Sequence, residues 1–214
     1  MIYELRAYDL LPGKGPQYLD HFRQDGVQYV TRHLPMAGYW LTDSGSLNRL
    51  YHLWIYTSLD ERLACRAGLA GDADWNDGFV PKGFPLIVAQ RNMLMELNED
   101  SAALAAVRDA RKQVHPGQAA SSAMFEPGYL SLTFGEGRVA GAECLGRWRV
   151  VSGEAPGTSV TLCRHAMDAP LAAVGRCSAT NSSARSPVRP CASPKASQPR
   201  RRPPSRHRRS EPSR

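Results

Sequence analysis

The stretch Arg49-Leu50-Tyr51-His52-Leu53-Trp54-Ile55-Tyr56-Thr57, followed at once by Ser58-Leu59-Asp60-Glu61, decides the fold. The first part is rich in aromatic and branched residues, has no Gly or Pro, and alternates in character, which predicts a β-strand. Ser58 and Glu61 stand at the spacing of a capping box: the serine oxygen accepts from the Glu61 amide while the glutamate reaches back. A strand therefore passes directly into a helix, whose apolar positions are read as Leu59, Leu63, Ala67 and Ala70. It loosens at Gly71-Asp72, and Trp75 and Phe79 continue in a shorter turn.

Working outward, Asp43-Ser44-Gly45-Ser46 is a turn, and Ala37 to Thr42 before it is a strand. Residues 2–9 alternate and form another. Pro12-Gly13-Lys14-Gly15 breaks the chain, and from Pro16 the period becomes helical, with Leu19, Phe22, Val27 and Val30 on one side. Gly26 weakens this helix locally, by roughly 1 kcal/mol relative to Ala, and Pro35 closes it. On the far side, Phe84 to Leu97 reads as the last strand. The order β, α, β, β, α, β with right-handed crossovers is the ferredoxin-like, α+β arrangement with one antiparallel sheet and both helices on one face.

Nothing in this pattern covers the other face. Tyr3, Leu5, Ala7, Tyr51, Leu53 and Ile55 are assigned to the helix side. That leaves Arg6, Tyr8, His52, Trp54 and Tyr56 on the bare side, a surface too apolar for water and too polar for a dry core. A homodimer whose sheets face each other around a partly polar cavity satisfies both demands.

The 214 residues carry a net charge of +7, but the charge is unevenly spread. Residues 1–100 hold 9 Lys+Arg against 13 Asp+Glu, and residues 176–214 hold 11 basic side chains against Glu211 alone. The Arg/Pro/Ser-rich segment 177–214 is expected to be disordered. Its arginines lack interleaved aromatics, so specific nucleic-acid binding is not expected. Between 99 and 176 the sequence suggests a helix from Ser101 to Gln113, with Asp100 able to cap it, and strand-like pieces at 129–134 and 148–151. No second copy of the first hundred residues is recognisable, and the composition beyond residue 98 resembles a GC-rich gene read out of frame or an unrelated disordered extension, with a functional second domain as the alternative.

Five cysteines, Cys65, Cys144, Cys163, Cys177 and Cys191, form no CxxC pair and read as free thiols of a reducing compartment. Cys65 beside Arg66 reads as a structural thiol. The N-terminus lacks a basic stretch leading into an apolar run, and no run approaches the roughly 20 apolar residues of a membrane span. A cytoplasmic protein is expected. His21, His33 and His52 have no Cys or carboxylate at ligand spacing, and neither GxGxxG nor a Walker loop occurs, so no metal and no cofactor is expected.

The segment 1–98 resembles the NIPSNAP family of the dimeric alpha–beta barrel superfamily. The resemblance rests on Met1-Ile2-Tyr3-Glu4-Leu5-Arg6-Ala7-Tyr8, Pro12-Gly13-Lys14, Arg32-His33-Leu34 with Gly38-Tyr39-Trp40, and Leu47-Asn48 through Tyr56. Ser58-Leu59-Asp60-Glu61-Arg62, Asp74-Trp75 and Gln90-Arg91-Asn92 complete it. It implies a ferredoxin-like fold and a barrel-forming dimer. The wider superfamily contains cofactor-free monooxygenases, haem-binding enzymes and small-molecule isomerases, so the expected function is small-molecule binding, with oxygenation or isomerisation as the associated chemistry. A non-catalytic dimer with a packed barrel is the alternative.

For chemistry, His52 is the candidate proton carrier, since an ordinary imidazole titrates near neutral pH; otherwise it is a hydrogen-bonded interface residue. Arg6 would hold an acidic group or stabilise an oxyanion, or else pair with Glu4. Tyr8 and Tyr56 would donate to a ligand oxygen, with Trp40 and Trp54 as walls; packing is the other use of these rings. His33 sits where a cation favours the helix end. A cavity of roughly 300 Å³ or more lined by Arg6, His52 and Trp54 would favour a ligand, and a filled interface would favour the structural dimer.

Overall fold

The computed structural model describes residues 1–137 and 139–167, together with the backbone of 182–185. Elements follow in the predicted order: β1 (Ile2–Leu10), α1 (Gly15–His21), α2 (Val27–Thr31), β2 (Met36–Ser44), β3 (Arg49–Tyr56), α3 (Leu59–Ala70), α4 (Val80–Gly83) and β4 (Ile87–Glu99). A π-helical turn, Phe22–Gly26, joins α1 to α2, and a second, Asp74–Phe79, precedes α4. The serine half of the capping box forms: Ser58 Oγ accepts from the Glu61 amide at 3.1 Å. The Glu61 carboxylate reaches back to the Thr57 hydroxyl at 2.7 Å. Gly26 has a packing reason, because any Cβ there would meet the ring of Phe79.

Beyond β4 the helix and strand-like pieces expected from the sequence form, in an arrangement the sequence does not reveal. After α5 (Ala102–Asp109) come β5 (Tyr129–Phe134), β6 (Glu143–Gly153), β7 (Ser159–His165) and β8 (Ser182–Arg185). These close one barrel in the order β1-β3-β2-β8-β5-β7-β6-β4. The two halves are sewn together along β4–β6, where Glu96 faces Arg149, and along β2–β8. The sheet face turned away from the helices is therefore covered by this chain's own second half. The segment 99–176, to which the sequence assigns a helix and strand-like pieces but no fold, holds α5, β5, β6 and β7 among its described residues. The expected disorder of 177–214 lies outside the described residues, apart from the β8 backbone.

The two sides of the first sheet are also exchanged relative to expectation. Tyr3, Leu5, Ala7, Tyr51, Leu53 and Ile55 fill the barrel, with Trp148, Val150, Val160 and Leu162 from the second half. Tyr8, Tyr39, Trp54 and Tyr56 lie instead under the helices, against Tyr18, Phe22 and Phe79. Period-two alternation separates two faces but does not say which one the helices take. Here the polar face went under the helices because α3 brings Arg62 and Arg66 to meet Glu4. The apolar stripe assigned to α3 is corrected accordingly: Leu59 and Leu63 are 54% and 62% exposed, and Leu69 is the buried leucine.

Inside the barrel two tryptophans use the same local device. Gly38 and Gly146 each stand two residues before a tryptophan, Trp40 and Trp148, and a Cβ at either glycine would collide with that indole. Absence of a side chain thus lets a large ring lie flat along its own strand. At α5, Ser101 and not Asp100 is the cap, accepting from the Leu104 amide at 3.1 Å. Asp100 pairs with Arg108 at 2.7 Å.

Candidate functional site

Five of the six predicted site residues share one face, and the sixth does not. Cross-strand pairing puts Arg6 opposite His52 and Glu4 opposite Trp54, with Tyr8 and Tyr56 at either end of the same row. Trp40 is on the barrel side, so it and Trp54 are walls of different spaces.

On the helix side the hub is Glu4, which is fully buried. Arg62 holds it with two bonds, Nε to Oε2 at 3.0 Å and NH2 to Oε1 at 2.9 Å. Arg66 NH2 donates at 2.9 Å, Arg6 NH1 at 3.2 Å and Asn92 Nδ2 at 3.1 Å. Burial alone would raise the Glu4 pKa, but the Arg62 hydrogen bonds and the charges of Arg66 and Arg6 outweigh it and hold the carboxyl far below the usual range. Farther along the face, His52 lies edge-on to Tyr8 at 4.6 Å and stacked on Tyr39 at 4.8 Å. The Tyr18 and Tyr39 hydroxyls are 3.1 Å apart. Burial pushes both phenols above their ordinary values.

His52 does not match the proton carrier expected from an ordinary imidazole. Burial first, then the positive charges of Arg6 and Arg66, push its pKa well below 6.5, so the ring is neutral. Its Nδ1 accepts from Trp54 Nε1 at 2.7 Å, which places the ring hydrogen on Nε2. His33 likewise has a structural partner, Asp72 at 2.7 Å, which ties the end of the first helical run to the loop after α3.

The other space is a cavity of about 720 Å³ at one end of the barrel. Trp40 and Leu53 line it from the first half, Leu104 from α5, and Leu130, Leu145 and Leu162 from the second half. Its polar and charged lining residues are Gln113, His115, Glu126, Arg164 and His165. His165 Nε2 is 2.8 Å from Ser131 Oγ. Burial lowers the pKa of both His115 and His165, so each is a neutral base near pH 7. The cavity passes the size expected of a ligand site but is not lined by Arg6, His52 or Trp54. Among the predicted residues only Trp40 belongs to it. The α5 residues and His165 were missed because their sequence carries no motif, and the cavity exists only once β5–β7 are folded against β2 and β3.

A single-chain α+β barrel with an apolar cavity between its halves and an arginine-rich cluster under its helices defines the class. The NIPSNAP family model matches residues 3–102. Protein NipSnap homolog 3B of Mus musculus is 38% identical over 79 residues, covering 36% of this chain and 32% of that protein. Protein NipSnap homolog 3A of Homo sapiens is 31% identical over 98 residues, covering 45% and 39%. The chain spans about a third of the length of the curated relatives it matches. A solved NIPSNAP family protein of unknown function from Agrobacterium tumefaciens is 35% identical, with 48% of this chain covering 92% of that one and a TM-score of 0.46. The chain belongs to the NIPSNAP family through this N-terminal domain. A crystal structure described as an anthrone oxidase-like protein has a TM-score of 0.50 over 86% of this chain and 90% of its own, at 10% identity. At that identity it shows the fold alone, and that likeness extends into the second half.

Proposed function

We propose that this chain binds a small, largely apolar organic molecule in the cavity at the end of the barrel. The observation that carries the reading is the cavity itself: about 720 Å³, walled by leucines and the Trp40 ring, with a few polar groups in its lining. That combination of apolar walls and sparse polar groups is the usual composition of a small-molecule site. Trp40 offers a flat surface against which an aromatic ring stacks. Gln113 offers both a donor and an acceptor.

The chemistry the cavity offers is proton transfer. A neutral imidazole, His115 or His165, accepts a proton from a carbon acid next to a carbonyl group, which is the step an isomerase needs. Homodimer formation is in this reading a property of residues 1–98 when separated from the rest, because in the full chain β5–β8 occupy the place of the second sheet. Purification under mild conditions followed by native mass spectrometry tests the reading. A bound organic mass is expected in the wild type and absent from Ala103→Trp, which fills the cavity from α5. An apo wild-type protein that also fails to take up any member of a library of aromatic small molecules would refute it.

A further inference from the structure

On the opposite side of the first sheet from that cavity, we propose that Arg6, Arg62 and Arg66 form a second binding site, for the oxyanion of a small organic acid or phosphate. Charge comes first. Three guanidinium groups surround one carboxylate, Glu4, which leaves two positive charges in surplus. Neighbouring acids do not take up the surplus: Glu61 is held by Lys112 at 2.6 Å, and Asp9 by Arg49 and Arg91. Nor can Glu4 accept more. Its two oxygens offer about four lone-pair positions, and they already receive five bonds.

Hydrogen-bond accounting points the same way. Arg6 Nε and Arg66 Nε are buried without a partner among the described residues. So is His52 Nε2, in a ring only 2% exposed and directly across the strands from Arg6. Because His52 Nδ1 is an acceptor for Trp54, this Nε2 is a third unpaired donor. Buried donors without acceptors are costly, so a folded protein rarely keeps several of them. The local surplus of charge makes an anionic acceptor the fitting partner for these donors.

Access and rigidity fit the assignment. Glu4 is wholly buried, whereas the Arg6, Arg62 and Arg66 side chains are 17%, 20% and 25% exposed. The carboxylate is thus a floor, and the guanidinium groups above it are partly open to solvent. Two of the three are steadied on rings, Arg6 over Tyr8 at 5.5 Å and Arg66 over Trp54 at 5.9 Å.

Calorimetric titration of the full chain with sodium acetate and, separately, inorganic phosphate, at ionic strength held constant with sodium chloride, tests the site. Saturable binding of one equivalent of either anion is expected, and which one binds separates carboxylate from phosphate recognition. Arg66→Gln should weaken it about tenfold or more, the scale of one charged hydrogen bond. Arg62→Gln should do the same, and Lys82→Gln, a surface charge paired with Asp25, should leave it unchanged. Thermal melts of each variant establish that it is folded. Absence of saturable binding, or equal binding by wild type and a folded Arg66→Gln, would overturn the proposal and leave water as the partner of these donors.

Discussion

Replacing Glu4 by Gln tests the buried charge cluster, because it keeps the shape and removes the charge. In the wild type the carboxylate is fully buried and accepts from three guanidinium groups and an amide at 2.9 to 3.2 Å. Breaking a buried ion pair from one side costs about 3–5 kcal/mol, since the remaining charge is left uncompensated. Here the arginines are partly exposed and can turn toward water, which places the expected loss at the lower end, about 3 kcal/mol. For a chain of this size each kcal/mol moves the melting temperature by about 2–4 °C, so a fall of roughly 6–12 °C is expected. The sign with pH follows from the depressed Glu4 pKa. Its stabilisation is present above the unfolded value near 4.5 and is lost as pH falls below it, so the two proteins should converge in acid. Differential scanning calorimetry near neutral pH and at decreasing pH reads both effects. A Glu4→Gln protein melting within a degree of wild type near neutral pH would refute the reasoning.

His52 is neutral in the fold but gains a proton in the unfolded chain below about 6.5, so stability should fall as the medium is acidified, by up to about 1.4 kcal/mol per pH unit. Urea midpoints should drop between about pH 7.5 and pH 5.5, less steeply in His52→Gln; equal midpoints at the two values would contradict this. Gly38→Ala should displace the Trp40 indole and cost roughly 1–3 kcal/mol, with a change in Trp fluorescence, and an unchanged emission spectrum would show that the ring is not where it is placed. Residues 1–100 expressed alone expose Tyr3, Leu5, Tyr51, Leu53 and Ile55, so sedimentation should find a homodimer, and a stable monomer would count against the reading of that face.

How much of this was legible in the sequence depended on range. The strand Arg49–Tyr56, the Ser58 cap after it and the buried stripe of Leu19, Phe22, Val27 and Val30 are set by local chemistry, and they form as read, with a π-helical turn inside the first helical run. Which face of the sheet the helices cover is not local. It turned on Arg62 and Arg66 reaching Glu4 across 58 and 62 residues, a pairing no alternation pattern reveals. Arg6, Tyr8, His52, Trp54 and Tyr56 were therefore grouped correctly on one side but assigned to the wrong space. Strand β7, Ser-Val-Thr-Leu-Cys-Arg-His, went unrecognised because its threonine, serine and arginine blur the period, although all but Arg164 are buried. The cavity is a product of both halves and has no signature in either.

Closure of the barrel by the chain's own second half is the central claim, since without it neither the cavity nor the covered sheet exists. Glu96 and Arg149 face each other across β4 and β6, where antiparallel partners lie about 4.5–5.5 Å apart at Cα, within disulfide reach. In a Glu96→Cys, Arg149→Cys double variant, oxidation at high dilution should give a cross-link within one chain. The product should migrate as a compact monomer on a non-reducing gel, and tryptic mapping should join the two strands. A cross-link found only between chains, or none under conditions that oxidise exposed thiols, would contradict the account.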